Sequence, residues 1–598
     1  MLKIIKPYKE EITMKKKILL SLSLLSLLAL AGCSQSTTTN ENYGSPYDYT
    51  EEITVTDPTE IEVEEVTSDF LIETSDGEYT QNGNVYTITK AGTYSLSGKL
   101  TGQILVEAGE EDEVVLELNG VNISYDSDSP IKAISGSKLE ISAKNGTDNI
   151  ITDNRKAKTT EVATQGEGAI SSDIDLKLKG SGTLVVTGNY NNAVHTSDDL
   201  TVQKLTLKAT GYNNALKGKD SVTITSGSIQ AYALNGNGIK TDNSDVSSKG
   251  NQRGTITING GTVYVDSLHD AIDASYDAVI DELDSEVPTT LTIKTGTKSS
   301  NYNRSTFKAD SEKGIKATNT ITVNKGTVVV AASDDALHAN YGDTLENGSK
   351  GLGNITINDG LIQVASGDDG LHADNTLAIN GGKVVVTGAT EGFEGNYINI
   401  SGGESYIYGT DDGVNCSKKS FSNCAFTMTG GYLDVAVSSG DTDGIDSNGN
   451  FTLSGGAIVT RGSPGTNGGG MSTGMDVDGT VSMTGGTLIA FNGLEASPSA
   501  SGTIKYAGTS GANTGGQGGG PGGGGPGGWR ASSSSRTFSA GNYVLSGDGL
   551  SVSFTNDYVY GSFLVYSANL TTGSTYTLSR GGSTVLSWTQ SSNSVTIS

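Results

Sequence analysis

Acidic residues recur in this chain at a fixed offset from a repeated hydrophobic position. The phrases are Asp-Ala-Ile-Asp-Ala at 270–274, Asp-Ala-Leu-His-Ala at 335–339, Asp-Gly-Leu-His-Ala at 369–373, Asp-Gly-Val-Asn-Cys at 412–416 and Asp-Gly-Ile-Asp-Ser at 443–447. Aligning them puts Asp270, Asp335, Asp369, Asp412 and Asp443 in one column, with Asp334, Asp368 and Asp411 beside it. One residue past the hydrophobic position a second column reads His195, Lys217, Lys240, Asp273, Lys316, His338, His372, Glu394, Asn415 and Asp446. If the repeats stack as strands, equivalent positions lie about 4.8 Å apart. Ionised carboxylates that close repel one another unless a cation bridges them or water screens them. Clustered hard oxygens suit Ca²⁺ and its 6–8 oxygen ligands. Asp270, Asp273, Asp334, Asp335, Asp368, Asp369, Asp411, Asp412, Asp443 and Asp446 are therefore the candidate calcium ligands. Asp before Gly also caps turn N–H groups, and that role alone would place acids here.

Other residues of the same columns offer different chemistry. His338 and His372, beside aspartates, have the donor types for a transition metal. They alternate with Lys, Glu and Asn, which equally describes a ligand-facing or merely solvated ladder, with Lys316 among the candidate contacts. Tyr276, Tyr341 and Tyr397 each lie four residues past the hydrophobic position, where a stripe of rings could pack on sugar faces or fill corners. Catalysis is weakly signalled. A lyase base would come from Lys217, Lys240 or Lys316, none with a distinctive neighbourhood, and a carboxylate repeated along the chain is not the singular acid pair of a glycosidase. No Gly-x-Ser-x-Gly elbow or Walker loop is present.

The elements that must position these residues are short strands. The repeated hydrophobic positions, from Val194 through Leu216, Ile239, Ile272, Ile315, Leu337, Leu371, Phe393 and Val414 to Ile445, are mostly 21–34 residues apart, a solenoid period. Between them run alternating segments broken by glycine, such as Thr-Ile-Thr-Ile-Asn-Gly-Gly at 255–261 and Leu-Ala-Ile-Asn-Gly-Gly at 377–382. Period-2 Val, Ile and Thr read as strand, and the glycines as turns. The expected fold is all-β, a right-handed parallel β-helix over 120–506 with β caps at 69–119 and 536–598. Residues 507–535, Gly/Pro-rich, read as a flexible loop. Gly at 82 of 598 residues and aromatics at only 6% favour a narrow tube over a large globular core.

Residues 1–33 read as an export signal: three lysines at 15–17, an apolar run over 18–30, then Leu30-Ala31-Gly32-Cys33, which resembles the bacterial lipobox. Cys33 is the expected lipidation site, and 34–68 a flexible tether. The expected address is thus the extracellular face of a bacterial membrane, touched only through the lipid. Residues 1–33 hold six Lys and two Glu, so their removal takes the net charge from −28 to −32. That excludes a nucleic-acid partner, which needs clustered Lys and Arg. Cys416 and Cys424, eight apart, could pair or stay free.

The lipobox, the Asp-Asp-Gly-Leu-His phrase at 368–372, the Asn-Gly-Gly turns and the Gly/Pro run at 515–528 together resemble one group of bacterial surface proteins. These are the calcium-binding, pectate-lyase-like β-helix proteins described as carbohydrate-binding domain proteins; Ser562–Ser567 and Gly573–Leu578 are similar to their closing strands. The resemblance implies binding of cellulose or polygalacturonate-like glycan with Ca²⁺ and without known catalysis; the expected state is a monomer. A polysaccharide lyase of the same fold and a structural or adhesive spacer are the rival readings.

Overall fold

The computed structural model describes residues 41–49, 53–158, 165–303, 311–346, 348–465, 472–499, 502–509 and 536–598. The expected signal, Cys33 and the run at 515–528 lie outside them. Apart from one 3-10 turn at Gly296–Lys298, every described element is a strand. Most strands join one large sheet system of 46 strands, in which pairing is predominantly parallel.

Three parallel ladders interleave along the chain, each strand pairing with the equivalent strand of the next repeat. The first ladder carries the repeated hydrophobic phrase, with Ile239 opposite Ile272, Ile272 opposite Ile315, Ile315 opposite Leu337 and Leu337 opposite Leu371. It continues through Phe393, Val414, Ile445 and Met475. The second ladder runs through Thr255–Ile258, Asp277–Ile280, Thr320–Val323 and Asn354–Ile357. The third runs through Gly261–Ser267, Thr289–Thr295, Thr327–Ala331 and Leu361–Ala365. Alternation sends Val, Ile and Leu inward from all three, and the first-ladder column from Val194 to Met475 is fully buried. Each such side chain contributes about 1.5–3 kcal/mol on burial. Parallel pairing already begins at Val85–Ile88 and Gly92–Thr101, earlier than the 120 expected from sequence.

The Asn-Gly-Gly turns have two causes. The second glycine adopts positive φ, +91° at Gly261 and +73° at Gly382, while a Cβ on the first would press the preceding repeat's carbonyl, 2.4 Å from Asn358 O at Gly381. The asparagines form their own ladder: Asn358 Nδ2 donates to Asn324 Oδ1 at 2.8 Å, and Asn380 Nδ2 to Asn358 Oδ1 at 2.9 Å.

At the C-terminal end Phe563–Ser567 pairs antiparallel with Thr487–Phe491, closing the third ladder. A separate sheet of Gly541–Gly547, Leu550–Asn556, Thr575–Arg580 and Ser583–Thr589 packs its own aromatic core around Phe491 and Tyr543. Glu41–Tyr43 adds a parallel strand to it.

The stretch whose composition suggests a free tether takes a different course from residue 41 onward. Ser45 Oγ contacts Tyr406 Oη at 2.9 Å, and Tyr49 Oη donates to Asp434 O at 3.0 Å. Tyr264 Oη donates to Asp57 at 2.8 Å, Gln230 Nε2 donates to Thr59 O at 2.9 Å, and Glu64 N donates to Asp148 Oδ2 at 3.3 Å. The segment therefore follows the third ladder against the direction of the repeats. Tyr43, Tyr47, Tyr49 and Ile53 anchor it by packing on the C-terminal core.

Candidate functional site

The first ladder puts the downstream column in register. His195 pairs with Lys217, Lys217 with Lys240, Lys240 with Asp273, Asp273 with Lys316, and Lys316 with His338. His338 then pairs with His372, followed by Glu394, Asn415, Asp446 and Asp476. The upstream column shares one backbone device. Asn192 Oδ1 accepts the N–H of Asn214, and Asn214 Oδ1 that of Asn237, at 3.2 and 3.0 Å. Asp270 Oδ1 accepts Lys313 N–H at 2.8 Å, Asp335 that of Asp369 at 3.0 Å, and Asp369 that of Glu391 at 3.2 Å. Asp412 accepts from Asp443 at 2.7 Å, and Asp443 from Thr473 at 2.5 Å. One oxygen of each acid thus does turn chemistry, closing the next repeat's turn. The second oxygen is free for another partner.

That partner divides the column into three parts. Toward the N-terminus the acids meet ammonium groups: Asp270 Oδ2 lies 3.4 Å from Lys316 Nζ, and Asp273 bonds Lys240. Lys217 pairs with Asp242, and Lys313 with Asp334 and Asp335, at 2.5, 2.5 and 3.1 Å. These lysines neutralise Asp270, Asp273, Asp334 and Asp335 within the chain, and Asp334, Asp335 and Asp368 still bring ligand atoms within 4.8 Å of one another. Burial alone would lower Lys240's ammonium pKa, but the Asp273 and Asp242 charges outweigh it and hold the pKa above the usual value.

In the middle, Asp335 Oδ2 faces His338 Nδ1 at 2.5 Å and Asp369 Oδ2 faces His372 Nδ1 at 2.8 Å. The two rings stack with centroids 4.3 Å apart. Glu394 approaches His372 Nδ1 at 3.0 Å, and Asp374 approaches its Nε2 at 3.3 Å. Burial opposes charge on His372, yet these carboxylates raise its pKa to about 10. Asp368 is exposed beside Asp334 and Asp335.

At the C-terminal end only acids remain. Burial, then Asp446, Asp411 and Asp441, push Asp412 up to about 7; burial, then Asp412 and Asp476, push Asp443 up to about 8. Asp446 rises to about 6 through burial and its neighbours Asp476, Asp478 and Glu495. Among the described residues no Lys or Arg pairs with Asp412, Asp443 or Asp446. These carboxylates are short of positive charge and have the donor type of a hard divalent cation, but they are not among the described groups whose ligand atoms lie within 4.8 Å of one another. Asp411 is exposed at its edge.

The three tyrosines do not form one stripe. Tyr397 falls in the column of Thr376 and Ala425, whereas Tyr276 precedes Asp277, whose column leads through Thr320 and Asn354 to Thr376. The register slips between Ala373 and Thr376, which breaks the shared offset of four. Tyr341 opens a hairpin with Lys350–Leu352. Two of the rings nonetheless meet a third that sequence spacing did not single out: Phe421 lies 4.6 Å from Tyr341 and 6.1 Å from Tyr397, centroid to centroid. Tyr397 also lines a groove of about 800 Å³ with Lys418, Asn423, Asn448, Asn450 and Asp478. The groove adjoins the acid cluster, since Asn448 Nδ2 donates to Asp446 Oδ2 at 3.0 Å. Glu391, Glu394, Asp374 and Lys419 also escaped the sequence-based set. Glu391 and Glu394 carry the columns' alignment but not their commonest residue types.

A family model described as carbohydrate-binding domain-containing protein matches residues 82–370 and 359–518. The chain belongs to this family. A carbohydrate-binding domain-containing protein of Acetivibrio thermocellus is 35% identical over 198 residues, which are 32% of this chain and 65% of that protein. The chain thus spans 65% of that relative's length. A solved structure described as the polysaccharide lyase-like protein from C. thermocellum, a gadolinium derivative, is 34% identical and covers 38% of this chain and 86% of that one, with a TM-score of 0.33.

Proposed function

We propose that this family member is a right-handed parallel β-helix lipoprotein that binds polysaccharide without cleaving it. In this reading Cys33 anchors it, as a monomer, to the extracellular face of a bacterial membrane. Ca²⁺ sits among Asp412, Asp443 and Asp446, and the glycan, of the cellulose or polygalacturonate class, lies in the groove beside Tyr397. The observation that carries the reading is the continuity of that groove with the cation-deficient acid cluster. An ion there holds both protein carboxylates and, for a uronate, a sugar carboxylate that the acids alone would repel. Aromatic faces at Tyr397, Phe421 and Tyr341 supply the apolar surface that sugar rings pack on. The interleaved ladders support the β-helix, and family membership supports the polysaccharide partner. At Lys240 catalysis as a lyase base is disfavoured, because such a base needs a lowered pKa and Lys240's is raised.

The test is retention of the protein on insoluble cellulose and on immobilised polygalacturonate, with Ca²⁺ and with EGTA, while unsaturated uronate absorbance is followed. Calcium-dependent retention without product, weakened by Tyr397→Ala, is the expected result. Product formation would make the protein a lyase. No retention on either polymer would leave a spacer in which calcium serves stability alone.

A further inference from the structure

The middle of the column holds donors that a calcium site does not call for. His372 is 8% exposed and Glu394 1%. His372 Nδ1 lies 2.8 Å from Asp369 Oδ2 and 3.0 Å from Glu394 Oε2, and the three groups offer ligand atoms all within 4.8 Å of one another. Glu394 Oε2 is buried without a hydrogen bond; the other oxygen, Oε1, is held by Lys419 Nζ at 2.5 Å. Asp369 Oδ1 is committed to the Glu391 N–H. On the far side of the ring, Nε2 is also buried without a hydrogen bond, with Asp374 Oδ1 nearest at 3.3 Å. Asp374 is itself fixed by the Tyr341 N–H at 2.8 Å.

Among the groups that close to this spacing, charge and burial favour this cluster. Asp369, Glu391 and Glu394 face only two monocations, His372 and Lys419, so a buried deficit of positive charge remains. Donor separations near 3 Å are those found around a small ion with bonds of about 2.0–2.2 Å, shorter than calcium's. An imidazole nitrogen among carboxylates suits first-row transition ions, whereas calcium takes oxygen.

We propose that His372 Nδ1, Asp369 and Glu394 form a site for a divalent first-row transition ion of the zinc type, separate from the calcium-type cluster and independent of glycan binding. On binding, the Nδ1 proton leaves to solvent and its lone pair goes to the ion. Nε2 keeps its proton and donates it to Asp374. That carboxylate–histidine–metal arrangement fixes the ring's tautomer and makes Asp374 a positioning residue. His338 belongs to a neighbouring group with Asp335 and His372 whose ligand atoms are also within 4.8 Å, but there Lys313 already neutralises Asp335, so the Glu394 side of His372 is the one assigned.

The experiment is titration of the metal-stripped full chain with Zn²⁺, alone and with Ca²⁺ in excess, and with Co²⁺ read by its visible absorption. One Zn²⁺ per chain that excess Ca²⁺ does not displace, with a Co²⁺ spectrum showing nitrogen ligation, is expected. His372→Gln and Glu394→Gln should each weaken Zn²⁺ by about 100-fold, and Asp374→Asn by about 10-fold. His338→Gln should leave it within about threefold, and Asp443→Asn should not affect it. Absence of Zn²⁺ uptake by the wild-type chain, displacement by Ca²⁺, or equal loss in His338→Gln would overturn the proposal. The wild-type Co²⁺ spectrum decides the question even if His372→Gln does not fold.

Discussion

In EGTA this protein's stability should fall as pH rises from 5 to 8, opposite to the usual behaviour of paired carboxylates. Asp412 and Asp443 stand near 7 and 8 in the folded chain and near the ordinary aspartate value when unfolded. A raised carboxyl pKa means that the folded state binds its proton more tightly. Stability from that group is full below the unfolded pKa and is lost as pH climbs through the folded one. At about 1.4 kcal/mol per unit, Asp443 alone would oppose folding by about 4 kcal/mol at pH 7. The two acids titrate as a coupled pair and are partly solvated, which reduces the combined cost to about 2–3 kcal/mol. Asp411, Asp441, Asp446 and Asp476, the other charges facing the pair, are all acidic and push in the same direction. Thermal unfolding of the chain in EGTA should then show a Tm about 2–4 °C lower at pH 8 than at pH 5.5. Calcium at about 100 times its Kd should restore about 2.7 kcal/mol at pH 8 and much less at pH 5.5. Asp443→Asn should stabilise the calcium-free chain at pH 8 and abolish the response to calcium. A pH-independent Tm in EGTA, or destabilisation by Asp443→Asn at pH 8 without calcium, would refute the reasoning.

Three further outcomes are expected. Arg461, fully buried, bonds Asp434, Val435 O at 3.0 Å, Asn556 Oδ1 at 2.8 Å and Thr555 O at 2.6 Å; Arg461→Met should cost about 3–5 kcal/mol, read as a lowered urea midpoint, with partial recovery in the Asp434→Asn double variant. Gly413→Ala should cost about 1–3 kcal/mol, because the new Cβ would lie 2.1 Å from Val435 Cγ1 and 2.8 Å from Gly444 O; the same urea titration measures it. Cys416 and Cys424 are free and buried, and burial raises both thiols. Neither should react with a thiol reagent at pH 8 until the chain is denatured, which a colorimetric thiol count checks.

Much of the repeat order was legible because one residue does one job in every repeat. Ile272, Ile315 and Leu337 face the interior and must be apolar, so the period survives variation elsewhere. The same logic made the charged column readable from His195 to Asp446. It did not reveal which acids are neutralised, since Lys313 and Lys316 reach Asp334, Asp335 and Asp270 across repeats of unequal length. The tyrosine offset misled because a one-residue slip between Ala373 and Thr376 changes which column a ring enters. Residues 41–64 were opaque for a simpler reason. Their partners, from Asp148 to Asp434, lie 84 to 385 positions away, and composition carries no trace of them.

The first ladder separates backbone geometry from chemistry. Asn192, Asp270, Asp369 and Asp443 all spend one oxygen on the next repeat's N–H, so the turn persists whether the side chain is charged or not. What varies is the group that meets the second oxygen. With Lys316 opposite Asp270, the charge closes within the chain and nothing external is required. With His372 between Asp369 and Glu394, closure depends on whether a proton or a metal sits on Nδ1. With Asp446 near Asp412 and Asp443, closure must come from outside, as protons or as a cation. External charge is thus demanded at the C-terminal end, where Asn448 joins the acids to the aromatic-lined groove. A uniform column of lysine-paired aspartates would have kept the same backbone and set that groove beside a charge-balanced wall.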